Sequence, residues 1–93
     1  MTISFGRFRF DAVEYDEQWD LLYLRRSDNP APDEWDVSEE GDALAYRGAD
    51  LISVDVMDAA LRLQEDGEIL LTMEDGSVLR SPDIHLAITR QAA

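Results

Sequence analysis

The sequence predicts an α+β fold: a predominantly antiparallel β meander, curled or barrel-like, with one short helix near residues 57–64. Three observations predict it. Short runs of alternating polarity are separated by turn signals at Gly41, Gly48 and Asp75-Gly76, the pattern of strands joined by tight connections. The stretch Ala49–Leu63 changes period. Ile52, Val54 and Val56 alternate with Leu51, Ser53 and Asp55, and then Met57, Ala60, Leu61 and Gln64 fall at helical spacing, so one apolar face passes from a strand onto a helix. Finally, 93 residues make a single domain, 1–93, with one modest core and no room for a large internal site.

The elements follow in order. Ile3–Phe10 reads as a first strand whose parity changes beside Gly6, which predicts a bulge or bend. Ala12–Tyr15 continues it or forms a second short strand, and Asp16-Glu17-Gln18 turns. Trp19–Arg26 is apolar on both faces, as expected of a central strand. Ser27–Asp33 carries two prolines and is a loop. Glu34–Ser38 places Trp35 and Val37 on one face of a short edge strand. Ala43–Tyr46 pairs back on it across the Glu39–Asp42 turn, and Arg47-Gly48 turns into the strand that begins the change of period. Asp55 is the expected N-cap of the helix, with Asp58 in its first turn near the positive end of the dipole and Gly67 at its end. Ile69–Glu74 and Val78–Arg80 form a hairpin about Asp75-Gly76. After the break at Ser81-Pro82-Asp83, Ile84, Leu86 and Ile88 alternate like a strand. Ile84, Ala87, Ile88 and Gln91 also fit a helix with Ser81 as cap and Pro82 in its first turn. The β-branched residues tip the reading towards strand.

Charge bounds the partners. The formal net charge is −13, and all eight basic residues are arginine. Such a surface repels nucleic-acid phosphates and anionic membranes, so neither is an expected partner, whereas a basic protein is. The absence of cysteine excludes disulfides and thiolate metal sites. No apolar run approaches the roughly 20 residues that cross a bilayer. The opening MTISFGRFRF lacks the basic end and apolar block of a secretory leader, so the expected location is cytoplasmic.

Several short motifs lie in the middle of the chain: Val13-Glu14-Tyr15-Asp16, Asp20-Leu21-Leu22-Tyr23-Leu24-Arg25, Gly41 with a strand ending at Tyr46, and Ile52-Ser53-Val54-Asp55-Val56-Met57-Asp58-Ala59. In these the span Val13–Leu63 resembles a small bacterial family catalogued as domain of unknown function 2283. Ser53 stands where that family usually has glycine, and Ala60 where it usually has serine. The resemblance implies a compact β meander closed by a short helix. It carries no established activity and transfers no functional residue. Genes of that family resemble partners in predicted toxin–antitoxin pairs, which implies a protein-binding module.

The candidate chemistry is sparse. His85 is the sole histidine, with Ser81 and Asp83 nearby, but a strand would splay them across two faces and no nucleophile elbow is present. No catalytic residue is therefore assigned, and no cofactor. Glu39, Glu40 and Asp42 surround Gly41 and offer the oxygen ligands a hard cation prefers, yet they lack the spacing of a calcium loop, so no metal is assigned. Arg7 and Arg9 alternate with Phe8 and Phe10, an arrangement that can bind RNA, but the overall charge opposes it. Cross-strand pairing explains Arg7, Arg9 and Arg25 more simply. Trp19 and Trp35 are the candidate interface anchors, and Trp35 is favoured because it follows the proline loop on an edge strand. The expected function is a non-enzymatic protein-interaction module, with an antitoxin-like partner of a basic protein as one version. Its expected partner-binding residues are Asp33, Glu34, Trp35 and Asp36. A homodimer through the edge strand is the other association expected. The alternative is a small metal-binding protein or enzyme using the acidic loops.

Overall fold

The computed structural model describes residues 1–92, with side chains as far as Ile88. Among the described residues, nine strands and two helices form the α+β fold. A hairpin of β1 (Ile3–Phe5) and β2 (Phe8–Phe10) opens the chain, followed by β3 (Ala12–Asp16), β4 (Leu21–Arg25), β5 (Glu34–Val37), β6 (Ala43–Arg47) and β7 (Asp50–Met57). Helix α1 (Ala59–Asp66), a second hairpin of β8 (Leu70–Thr72) and β9 (Val78–Arg80), and helix α2 (Ile84–Ala92) complete it.

The principal sheet is antiparallel, with strand order β3-β4-β7-β6-β5. It is open, with β3 and β5 as its edges, so it does not close into a barrel. Nor is it a simple meander. The Arg26–Asp33 connection carries the chain from β4 past β7 and β6 to the far edge. The prolines suit that crossing, because they need no ladder donors. The connection is tied down by Asp11, whose carboxylate receives Ser27 N and Oγ at 2.8 and 2.6 Å, and by Arg47 Nη1 donating to Ala31 O at 2.9 Å.

Leu22, Leu24, Leu44, Val54 and Val56 line one face of the sheet and are buried against Ile3, Phe5 and Phe10 of the first hairpin, Ile69 and Leu71 near the second, and Ala59, Ile84 and Ala87 of the helices. The simple alternation expected along β7 is interrupted. The β6–β7 register shifts between Ala45 and Tyr46, leaving Ile52 unpaired, so Leu51 joins Val54 and Val56 in the core. Ile52 and Ala45 are also buried but stand apart from that cluster. This is the geometry of a β-bulge, where one extra residue reverses the facing of those beyond it.

Two further sequence expectations change. The bend at Gly6 is a full hairpin turn, so the expected single strand Ile3–Phe10 is two strands. Gly6 has φ +56°, its N–H donates to Arg80 O at 2.9 Å, and a Cβ there would lie 3.0 Å from Leu79 Cδ2, so glycine is required both conformationally and sterically. The segment read as a strand over Ile84–Ile88 is helix α2. Ile84, Ala87 and Ile88 are buried at i, i+3 and i+4, while His85 and Leu86 are exposed. A local β-branched preference yields to burial of this stripe against β1 and β3. Gln91 lies outside the described side chains. Among the described residues no helix is long and apolar enough to cross a membrane.

Candidate functional site

The acidic turn between β5 and β6 is a structural pin. Asp42 is completely buried. Its Oδ1 receives Arg62 Nη1 at 2.7 Å and Met57 N at 3.0 Å, while its Oδ2 receives Ser38 Oγ at 3.0 Å and Arg62 Nη2 at 3.2 Å. Arg62 also donates to Met57 O and Leu70 O, so one guanidinium ties α1 to β7, the β5–β6 turn and β8. Glu40 is likewise engaged. Burial would raise its carboxyl, but Thr72 Oγ1 and N, at 2.6 and 2.8 Å, hold it below the ordinary value. Two of the three acids considered for a cation are thus committed within the fold. Among the described residues no three histidine, aspartate or glutamate side chains converge to hold a metal ion.

The acids at the strand-to-helix junction also have other roles than the sequence assigns. Asp58 occupies the N-cap position, but in a left-handed conformation (φ 51°) and without a side-chain bond to the helix. Asp55 is on β7, with Oδ1 2.6 Å from Arg25 Nη1 but with no aligned hydrogen bond. The cap comes from another element. Asp20, at the start of β4, receives Ala60 N at 2.7 Å, Leu61 N at 3.2 Å and the Tyr15 hydroxyl at 2.8 Å. Burial would raise the Asp20 carboxyl, but these donors hold it below its ordinary value. Burial, followed by the Asp20 hydrogen bond and charge, pushes the Tyr15 hydroxyl up to about 12.

A groove of about 520 Å³ lies at the β5–β6 end of the sheet, on the core side. It lies where the two small hairpins leave that end partly uncovered. Phe8, Tyr46, Met73 and Leu79 give it an apolar floor, and Glu34, Asp36, Glu74 and Asp75 rim it. Its cation is Arg7, whose guanidinium lies 4.8 Å from the Phe8 ring centroid. Asp75 is held ionised below its ordinary value by the Ser77 hydroxyl and N–H, at 2.6 and 2.9 Å. The Tyr46 hydroxyl is raised first by burial and then by the charges of Asp36, Asp75, Glu34 and Glu74, which line the same groove. Such a volume suits part of a peptide or a small ligand.

The sequence-designated residues divide between two faces. Glu34 and Asp36 line the groove. Trp35 and Val37, 68% and 62% exposed, point to the opposite face of the sheet, where they pair with Ala45 and Ala43. Asp33 anchors the turn before β7, receiving Gly48 N at 3.2 Å on both oxygens. Trp19 is exposed on the β3–β4 turn and does not line the groove, and His85 is exposed on α2. Asp83 Oδ1 accepts from Ser81 Oγ and from Ser4 N, so these two residues stitch α2 to β1.

Sequence reasoning missed Tyr46, Glu74 and Asp75 as members of the site. Their signal was faint: an aromatic at the end of a hairpin arm, and an acidic pair read only as a turn. No family model, no curated protein and no solved structure matches the chain, so the site rests on its own geometry.

Proposed function

We propose that this protein is a non-enzymatic interaction module that binds a basic segment of another protein in the acid-rimmed groove. The observation that carries the reading is the placement of Glu34, Asp36, Glu74 and Asp75 around a single groove that has half-buried Tyr46 in its floor. Carboxylates at a rim attract a cationic side chain, and an aromatic floor receives its alkyl stem or stacks on its guanidinium. The formal charge of −13 accelerates encounter with such a partner and repels acidic competitors. One version is a neutralising partner of a basic protein. The resemblance of Val13–Leu63 to domain of unknown function 2283 carries no established activity, but the predicted toxin–antitoxin pairings of that family's genes imply a protein-binding module as well.

The test is calorimetric titration of the full chain with an arginine-rich synthetic peptide. Replacing Glu34, Asp36 and Asp75 together by their amides should weaken binding at least about tenfold and flatten its salt dependence, with the urea midpoint little changed. A control neutralising Glu17, Glu65 and Asp66, exposed acids outside the groove, should leave binding nearly intact. Equal loss in both sets would reduce the interaction to diffuse charge, and absence of binding to the native chain would refute the reading.

A further inference from the structure

Strand β5 has a single neighbour in the sheet, β6. Ser38 N donates to Asp42 O at 2.9 Å in register with the β5–β6 ladder. In an antiparallel pair the bonded residues alternate, so Glu34 and Asp36 direct their backbone groups towards β6, and Trp35 and Val37 direct theirs to the open edge. Side chains alternate on the same strand. Glu34 and Asp36 enter the groove, whereas Trp35 and Val37 stand on the opposite face. As far as Val37, beyond which Glu39 N already donates to Thr72 O at 3.0 Å, this four-residue edge therefore offers outward backbone groups, two carboxylates on one side and two apolar side chains on the other.

We propose that the β5 edge takes an extended segment of the basic partner by strand addition, and that this segment alternates arginine or lysine with apolar residues. The inference rests on the basic-partner reading and specifies how the partner lies. Basic side chains of the added strand fall beside Glu34 and Asp36 over the groove, and the intervening apolar ones fall beside Trp35 and Val37. Strand β5 spans about 13 Å at the usual rise, so four or five partner residues form the contact. In the free protein Asp36 Oδ1 accepts the Val37 N–H at 2.8 Å. An incoming basic side chain engages that carboxylate, and an incoming backbone carbonyl takes over the N–H. The edge is thus shielded until a segment carrying both groups arrives. A second copy is a poor occupant, because antiparallel β5–β5 pairing sets Glu34 and Asp36 of each copy against those of the other.

Three synthetic peptides built from the same numbers of arginine and valine residues test this by titration into the full chain. One alternates arginine with valine, one segregates them into two blocks, and one is the alternating peptide with every second backbone amide N-methylated on the strand-pairing side. The alternating peptide should bind tightest. N-methylation should weaken it roughly ten- to hundredfold, the loss expected for two or three backbone hydrogen bonds. Amide exchange at Trp35 and Val37 should slow on binding, and Trp35→Thr should weaken only the alternating peptide. If all three peptides bind alike and all depend on Glu34, Asp36 and Asp75, strand addition is refuted while the basic-partner reading stands. If none binds, both fall. A dimer that forms without peptide and is lost in Trp35→Thr would assign the edge to a second copy and overturn the proposal.

Discussion

Replacing Arg62 by methionine removes the guanidinium from a completely buried carboxylate. Asp42 would keep Met57 N and Ser38 Oγ as donors but lose its ion pair with Arg62, and Met57 O and Leu70 O would each lose a donor. Breaking a buried pair from one side costs about 3–5 kcal/mol, because the remaining charge is left without compensation. A chain of 93 residues has a total stability of about 5–14 kcal/mol, so the loss is a large fraction of the whole. With a urea m-value of about 1 kcal/mol/M, the midpoint should fall by roughly 3 M or more. Asp42→Asn should cost less, about 1–3 kcal/mol, since Arg62 keeps both carbonyl partners. The double variant should be more stable than the sum of the two losses allows, by about 1–3 kcal/mol of coupling. Urea unfolding followed by circular dichroism measures all four corners of the cycle. A loss below about 1 kcal/mol for Arg62→Met, the scale of an exposed pair, or strict additivity, would refute the pin.

Reassignment of the helix cap is tested by comparing two aspartates. Asp20→Ala should cost about 1–2 kcal/mol as a lost cap, and Asp55→Ala less than about 1 kcal/mol as a lost half-exposed pair; the reverse order in chemical denaturation would restore Asp55 as the cap. Because the folded Asp20 carboxyl lies below its ordinary value near 3.8, its contribution is present above that pH and disappears as pH falls through the folded value; acid titrations of the native chain and Asp20→Asn should converge at the acid end. Tyr15 has the opposite sign: a hydroxyl raised from 10.0 to about 12 contributes stability that is whole below pH 10.0 and lost as pH climbs through about 12, and Tyr15→Phe should abolish the latest tyrosinate absorbance step. Gly6→Ala combines a left-handed φ with a 3.0 Å approach to Leu79 Cδ2 and should lower stability by about 1–3 kcal/mol; an unchanged thermal midpoint would show that the turn relaxes freely.

Local pattern conveyed much of the fold. The alternation of Leu22 with Leu24 and of Val54 with Val56, and the Gly67 and Asp75-Gly76 stops, place strands and turns because they depend on neighbours in sequence. What escaped depends on residues far apart. Asp42 and Arg62 are twenty positions apart, and Asp20 caps a helix some forty residues on, so neither partnership has a local signature. The bulge at Ile52 is hidden for the same reason: register belongs to the pair of strands. Helix α2 is a case of tertiary override, in which the stripe of Ile84, Ala87 and Ile88 outweighs strand propensity. The candidate site was half legible. Glu34–Asp36 stood out as an acidic edge, but strand alternation puts Trp35 on the other face, and the remaining rim comes from the β8–β9 turn.

Under the proposed mode of binding, the β5 edge and the groove beside it together recognise a basic extended segment. The most direct measurement is a map of backbone amide chemical shifts during titration of the full chain with the alternating arginine–valine peptide. The largest changes should form one contiguous set at Glu34, Trp35, Asp36, Val37, Tyr46 and Asp75, with Trp19, Glu65 and Asp66 nearly unmoved. Changes scattered over every acidic surface, or centred away from β5, would contradict it.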